Sequence, residues 1–236
     1  MSRRFAVYLA PEPQSHLWAF GSQWLGYDAA NGLDVDQPEV APIDKDALRE
    51  ATAEPRLYGF HLTLKAPFRL ADGASVEMLE DTVQQLSNRH AGFGPFSLVL
   101  EARAAGPDRV FYCLVPEVRQ DLLHALEADA VVAIDHLRAP LTSAEIARRR
   151  PERLNARDRG YLDRYGYPHV LEAFRPHFSL TGAIDPASAL GDALRARLAP
   201  EPQLLRFVCS EVVLFEQPEA GARFVIRQRF KLSNAS

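Results

Sequence analysis

Tyr58-Gly59-Phe60-His61-Leu62-Thr63-Leu64-Lys65 reads as an extended strand with two unlike faces. Side chains alternate across a strand, so Phe60, Leu62 and Leu64 would enter a core while His61, Thr63 and Lys65 share the opposite face. That polar face offers an imidazole, a hydroxyl and an ammonium to one phosphate-sized anion. The same grammar returns far down the chain as His177-Phe178-Ser179-Leu180-Thr181. Two such strands side by side would bring two histidines and two hydroxyls into one site. The pairing is selective within this chain: two positions after His16, His90, His124, His136 and His169 stand Trp18, Gly92, Leu126, Arg138 and Leu171, none with a hydroxyl.

Outward from these strands the chain alternates between strand and helix signals, an α+β pattern. Phe5–Ala10 reads as a buried strand stopped by Pro11 and Pro13, and Ser15 as the cap of a helix carrying Leu17, Trp18, Phe20 and Trp24. Residues 28–42 carry Gly, Pro, Asp and Asn without a period and read as a loop able to lie over a cleft. A short helix from Asp44 is expected to end before Pro55. After Leu57–Lys65 come a helix opened by Ser75, strands Phe96–Ala102 and Arg109–Val115, and a helix over Glu117–Val132. The second marked strand is expected over Phe174–Thr181, then a helix Pro186–Leu198 and strands Leu204–Phe215 and Ala222–Leu232. Strand, helix, strand, strand thus follows each motif. This order predicts two lobes, each an antiparallel-rich sheet with helices outside, related by an approximate two-fold axis around a central cleft, within one domain spanning 1–236.

The chain has 236 residues, 47% hydrophobic and 25% charged, with net charge −4. This is an ordinary globular composition, and its mild acidity disfavours a dedicated nucleic-acid coat protein. Cys113 and Cys209 lie in apolar runs without CxxC spacing and read as reduced, packed thiols of a cytoplasmic protein. No apolar stretch has the length needed to cross a bilayer. The arginine-rich segment Arg148–Arg164 reads as a solvated helix face with Glu152, Asp158 and Asp163 as local partners, in preference to an electropositive wall for a phosphorylated ligand.

A histidine pair across a cleft suits general acid–base chemistry near neutrality, because imidazole titrates near 6.5. One neutral ring takes a proton while the other, protonated, gives one. The hydroxyls of Thr63 and Ser179 can donate to non-bridging phosphoryl oxygens. No metal is called for: two imidazoles with no Asp, Glu or Cys on their strand faces fall short of a zinc set. No cofactor is implied either, since GxSxG, Walker and GxGxxG patterns are absent from the sequence.

With His61-Leu62-Thr63-Leu64 and His177-Phe178-Ser179-Leu180 as a pair of H-x-[ST]-x motifs, the chain resembles the two-histidine phosphoesterase superfamily, the LigT-like proteins. The flanks, Arg4-Phe5-Ala6-Val7-Tyr8, Trp18 to Asp28 and Tyr165-Gly166-Tyr167-Pro168 leading to Phe174-Arg175, are similar to its phosphonate-metabolism branch. The resemblance implies a two-lobed α+β fold and metal-independent chemistry on cyclic or 2′,5′ phosphodiesters. It implies His61 and His177 as the acid–base pair, with Thr63 and Ser179 as phosphate ligands. Serine in the second motif keeps the hydroxyl. Tyr8, Lys65 and Arg175 are candidate substrate contacts by strand position. Which histidine is the base does not follow from sequence. The expected substrate is a small phosphorylated molecule, such as a cyclic phosphate of a sugar or nucleotide. RNA, acted on by a cyclic phosphodiesterase or 2′,5′ ligase, is the less favoured partner, and a non-catalytic sensor of a phosphorylated metabolite is a further alternative.

Overall fold

In the computed structural model, which describes residues 3–234, the chain runs β1 (Arg4–Leu9), α1 (His16–Leu25), β2 (Tyr27–Asp28), β3 (Leu33–Asp34), α2 (Lys45–Ala51), α3 (Ala53–Tyr58), β4 (Leu62–Phe68) and α4 (Val76–Arg89). It continues through β5 (Phe93–Ala104), β6 (Val110–Pro116), α5 (Asp121–Ile134), α6 (Ser143–Arg148), α7 (Ala156–Tyr165), β7 (Phe178–Ser179), α8 (Leu190–Leu198), β8 (Arg206–Cys209), β9 (Glu211–Gln217) and β10 (Val225–Lys231). Residues 1, 2, 235 and 236 of the expected span 1–236 lie outside the described residues. Ser15, Asp44 and Ser75 each accept a backbone N–H and cap α1, α2 and α4.

Eight strands form one antiparallel sheet in the order β10-β9-β1-β4-β7-β6-β5-β8, making an α+β fold. The two motif strands are its central neighbours, with Leu62 opposite Phe178. Each half has four strands, but the halves in space are not halves of the chain. The pair β5-β6, which follows the first motif in sequence, flanks the second motif strand, while β9 joins β1 beside the first. A shared order of elements cannot reveal this exchange. Residues 206–217 cross from one half to the other: β8 bonds β5, the chain bends at Ser210, and β9 bonds β1 and β10. Leu232 N–H closes on the Ser210 carbonyl, so the sheet curls.

One face of the sheet is covered by helices. Phe5, Val7, Leu9, Leu62 and Phe178 meet Leu17, Trp24, Leu123, Leu126 and Leu194 there, all essentially buried, each burial worth about 1.5–3 kcal/mol. Phe60 stacks on Phe178 at 5.0 Å between centroids. A Cβ on Gly21 would stand 2.2 Å from the Phe60 ring, so only glycine lets α1 approach the motif so closely.

Several boundaries differ from the sequence reading. The stretch from Leu57 is not all strand: α3 runs to Tyr58 and Gly59 ends it, so ladder pairing begins at Leu62. Pro55 stands in the first turn of α3, where its missing N–H has no intrahelical duty. The second motif strand is two residues long rather than Phe174–Thr181, because Pro176 cannot donate to a ladder. The start of the 28–42 segment pairs in the small β2-β3 ladder, which begins at Tyr27, and Gln37 fastens the segment to the Trp24 carbonyl and the Thr52 hydroxyl. The arginine-rich segment is broken into short helices by Pro151 and Asn155 rather than forming one face.

Candidate active site

The open face of the sheet forms a cleft of about 920 Å³ that contains His61, Thr63, His177 and Ser179 together. The antiparallel register explains why. With Leu62 opposite Phe178, His61 stands across from Ser179 and Thr63 across from His177, all on the face opposite the buried Leu62 and Phe178. Each hydroxyl is therefore the cross-strand neighbour of the other motif's histidine. The two histidines are diagonal neighbours, roughly 7–8 Å apart at their backbones, a spacing that admits a phosphoryl group between the rings.

Both imidazoles are fixed in the same way. His61 Nδ1 lies 2.9 Å from the Gly59 carbonyl and His177 Nδ1 lies 2.7 Å from the Arg175 carbonyl, each two residues back. A carbonyl can only accept, so Nδ1 carries the hydrogen and Nε2 is left with its lone pair toward the cleft. Thr63 Oγ1 is 3.3 Å from His61 Nε2. Gly59 makes the first of these bonds possible: its φ of 78° and ψ of 178° belong to a region only glycine enters freely.

The two rings have different surroundings. Tyr8, from β1, lies flat on His61 with centroids 3.7 Å apart and planes 18° off parallel. Phe215 and Tyr58 close around the same ring. Burial, opposed by the Gly59 hydrogen bond and aided by the charge of His177, holds His61 down to about 4. His177 meets Phe111 in an edge arrangement with centroids 5.5 Å apart and feels the charges of the Arg103–Glu101 ion pair, whose 3.1 Å contact runs along β5. Its affinity for protons is also lowered, mainly by burial.

Of the candidate substrate contacts, Tyr8 and Arg175 line the cleft, although Tyr8 is nearly fully buried and its ring is stacked on His61. Lys65 does not, and the reason is a bulge. Tyr8 pairs with Thr63 but Val7 pairs with Lys65, so β4 carries one extra residue at Leu64. The alternation reverses past it, and Lys65 follows Val7 to the helix-covered side. There it is 2% exposed, 2.8 Å from Asp135 and 3.1 Å from the Val131 carbonyl. A regular strand drawn from sequence contains no sign of that bulge.

Sequence reasoning passed over several cleft residues. Arg4 shares the face of Tyr8 by simple alternation along β1, a signal that was legible. Arg103, on β5, Glu127, on α5, and His169, in the loop after α7, also line the cleft with no pattern to mark them, as does Arg149, from the arginine-rich segment whose reading as an electropositive wall ranked second. Residues 28–42 contribute nothing to its lining. Among the described residues, no group of three or more His, Cys, Asp or Glu converges as a metal-ligand set, and no helix is long and apolar enough to cross a membrane. Cys113 and Cys209 are buried and unpaired, and burial pushes the Cys113 thiol up to about 12.

Fold and site together define an α+β protein with twin histidine–hydroxyl motifs facing one cleft. The chain belongs to the family described as "Protein of unknown function (DUF1045)", whose model matches residues 63–225. Two curated relatives are named "Ribose 1,5-bisphosphate phosphokinase PhnN". The one from Laribacter hongkongensis (strain HLHK9) is 38% identical over 94% of this chain and 50% of its own length. That from Janthinobacterium sp. (strain Marseille) is 33% identical over 98% of this chain and 51% of its own. The chain thus spans about half the length of the curated relatives it matches. The names of these relatives agree with the phosphonate-metabolism side of the resemblance. A solved structure described as "Crystal structure of phosphoesterase" aligns over 99% of this chain and 100% of that one, at 13% identity and a TM-score of 0.46.

Proposed function

We propose that the protein is a metal-independent phosphoesterase that opens a cyclic phosphodiester of a small sugar or nucleotide, with residues 1–236 acting as one two-lobed unit. The observation that carries this reading is the matched pair of imidazoles, each tied at Nδ1 to a carbonyl two residues back and each turning Nε2 into the same cleft. The name of the curated relatives, which contains a ribose bisphosphate, supports a ribose cyclic phosphate as the substrate class and a role in phosphonate metabolism.

The chemistry follows from the asymmetry of the pair. His61, stacked under Tyr8 and held to about 4, is neutral at pH 7 and acts as the base. It takes a proton from water as the water oxygen bonds to phosphorus. The ring P–O bond breaks, and its oxygen takes a proton from His177, which acts as the acid. The phosphate anion between the rings favours the protonated form of His177. Thr63 and Ser179 donate hydrogen bonds to the non-bridging oxygens as charge accumulates there. Each positioned acid or base supplies about 10²–10⁴ in rate.

The test is an assay of EDTA-treated protein on 2′,3′-, 3′,5′- and ribose 1,2-cyclic phosphates, beside His61→Ala and His177→Ala. Turnover that survives chelation and disappears in both variants is expected. Binding without turnover on every substrate would overturn the reading in favour of a phosphometabolite sensor, and loss of turnover on chelation would overturn its metal independence.

A further inference from the structure

The cleft is much larger than a cyclic phosphate of a bare sugar, and its positive charge is not centred on the histidines. Arg149, at the end of α6, reaches into it with its guanidinium 4.8 Å from the centre of the Tyr167 ring. Arg175, exposed just ahead of the second motif, lines the same region. All four side chains, Arg149, Tyr167, His169 and Arg175, line the cleft, and both arginines act electrostatically on Tyr167 and on His169, as Asp158 and Arg157 do on His169. Tyr167 and His169 meet edge-on at 5.8 Å.

Three features set this group apart from ordinary surface arginines. Among the described residues neither Arg149 nor Arg175 has a carboxylate partner, whereas cleft-lining Arg103 is paired with Glu101. Arg157 in the same arginine-rich segment is likewise spoken for, by Asp158. Of the arginines from 148 to 164, Arg149 alone enters the cleft. Nδ1 of His169 is buried and has no hydrogen-bond partner, which is costly for a polar atom unless something else satisfies it. Two unpaired guanidiniums, an imidazole nitrogen and a phenol, gathered at one wall of a cleft, suit an oxyanion with several acceptor oxygens.

We infer that Arg149, Tyr167, His169 and Arg175 form a second anion subsite, which binds a phosphomonoester group carried by the substrate at a distance from the reacting cyclic diester. The inference rests on the cyclic phosphodiesterase reading and deepens it: the preferred substrate bears two phosphoryl groups. A phosphomonoester carries about −1.5 to −2 charges at neutral pH and uses both guanidinium forks, which a neutral hydroxyl in its place does not. The binding energy gained there orients the diester between His61 and His177.

The experiment compares substrates in pairs that differ by one phosphate: ribose 1,2-cyclic phosphate with and without a 5-phosphate, and a nucleoside 2′,3′-cyclic phosphate with and without a 5′-phosphate. Wild type is expected to favour the phosphorylated member of at least one pair by about 10- to 100-fold in kcat/KM, the value of one or two hydrogen bonds to a charged group. Arg149→Gln and Arg175→Gln are expected to shrink that ratio towards one, mainly through KM, while His61→Ala abolishes turnover of both members. In parallel, ribose 5-phosphate binding is measured by calorimetry against ribose, in wild type and Arg149→Gln. Equal kcat/KM within both pairs, with no effect of either arginine variant on the ratio, would overturn the subsite and leave the phosphodiesterase reading intact. No turnover of any cyclic phosphate, but Arg149-dependent binding of ribose 5-phosphate, would overturn the phosphodiesterase reading and retain the subsite. Preference retained in both arginine variants would place the second phosphate elsewhere.

Discussion

Replacing Gly59 by alanine tests how the first histidine is held. Gly59 stands at φ 78° and ψ 178°, where a side chain costs about 1–3 kcal/mol of backbone strain. A Cβ there would also lie 2.7 Å from Ala29 Cβ, an overlap in a buried contact worth a further 1–3 kcal/mol or so. The sum, about 2–6 kcal/mol, corresponds to a fall in Tm of roughly 4–24 °C for a chain of this size. The functional loss has a separate origin. The Gly59 carbonyl accepts from His61 Nδ1, and relaxing the strain turns that carbonyl away, releasing both the ring orientation and its tautomer. The expected kcat loss is at least about tenfold, out of the 10²–10⁴ that a positioned base supplies. Chemical denaturation, with kcat/KM measured well below the new Tm, separates the two effects. The double variant Gly59→Ala/Ala29→Gly removes the overlap but leaves the dihedral strain, so it should recover only part of the stability and little of the activity. Full recovery of both in the double variant would refute the dihedral argument. A Gly59→Ala variant as stable and as active as wild type would refute the whole account.

Tyr8→Leu removes the ring stacked on His61. Burial holds His61 down, so opening its surroundings should raise the acid limb of the kcat/KM profile from near 4 towards 6.5; an unmoved limb would show that Tyr8 does not set it. The same shift has a stability side: His61 binds its proton less readily folded than unfolded, so its contribution is complete above 6.5 and is lost as pH falls towards 4. His61→Ala should therefore flatten acid unfolding across that interval. Glu127 is a buried carboxyl raised to about 8 by burial while it accepts the Leu171 N–H. Its contribution is complete below the unfolded value near 4.5 and is lost as pH rises through 8, so Glu127→Gln should stabilise the protein at pH 8.5 by on the order of 2 kcal/mol, and denaturant curves at pH 5 and 8.5 would expose the opposite trend. Lys65→Met leaves Asp135 its Arg138 partner at 2.9 Å and should cost about 1–3 kcal/mol with little change in KM; a tenfold rise in KM would return Lys65 to the substrate.

The sequence by itself determined which polar side chains share the cleft face. A two-residue alternation fixes which side chains share a strand face, so the buried Phe60, Leu62 and Phe178 dictate that His61, Thr63, His177 and Ser179 point the other way. Helix starts at Ser15, Asp44 and Ser75 were legible for an equally local reason, a side-chain oxygen within reach of a free N–H. Tertiary structure decided what depends on partners distant in sequence. The register of β4 on β1 put a bulge at Leu64 and turned Lys65 into the helix-covered core. Strand exchange seated β5-β6 beside the second motif and β9 beside the first. Arg149 and His169 came to the cleft on short helices and loops whose positions no period encodes. Alternation is a property of one strand's covalent geometry, whereas register and loop placement minimise the energy of two surfaces at once, and one chain read alone contains only the first.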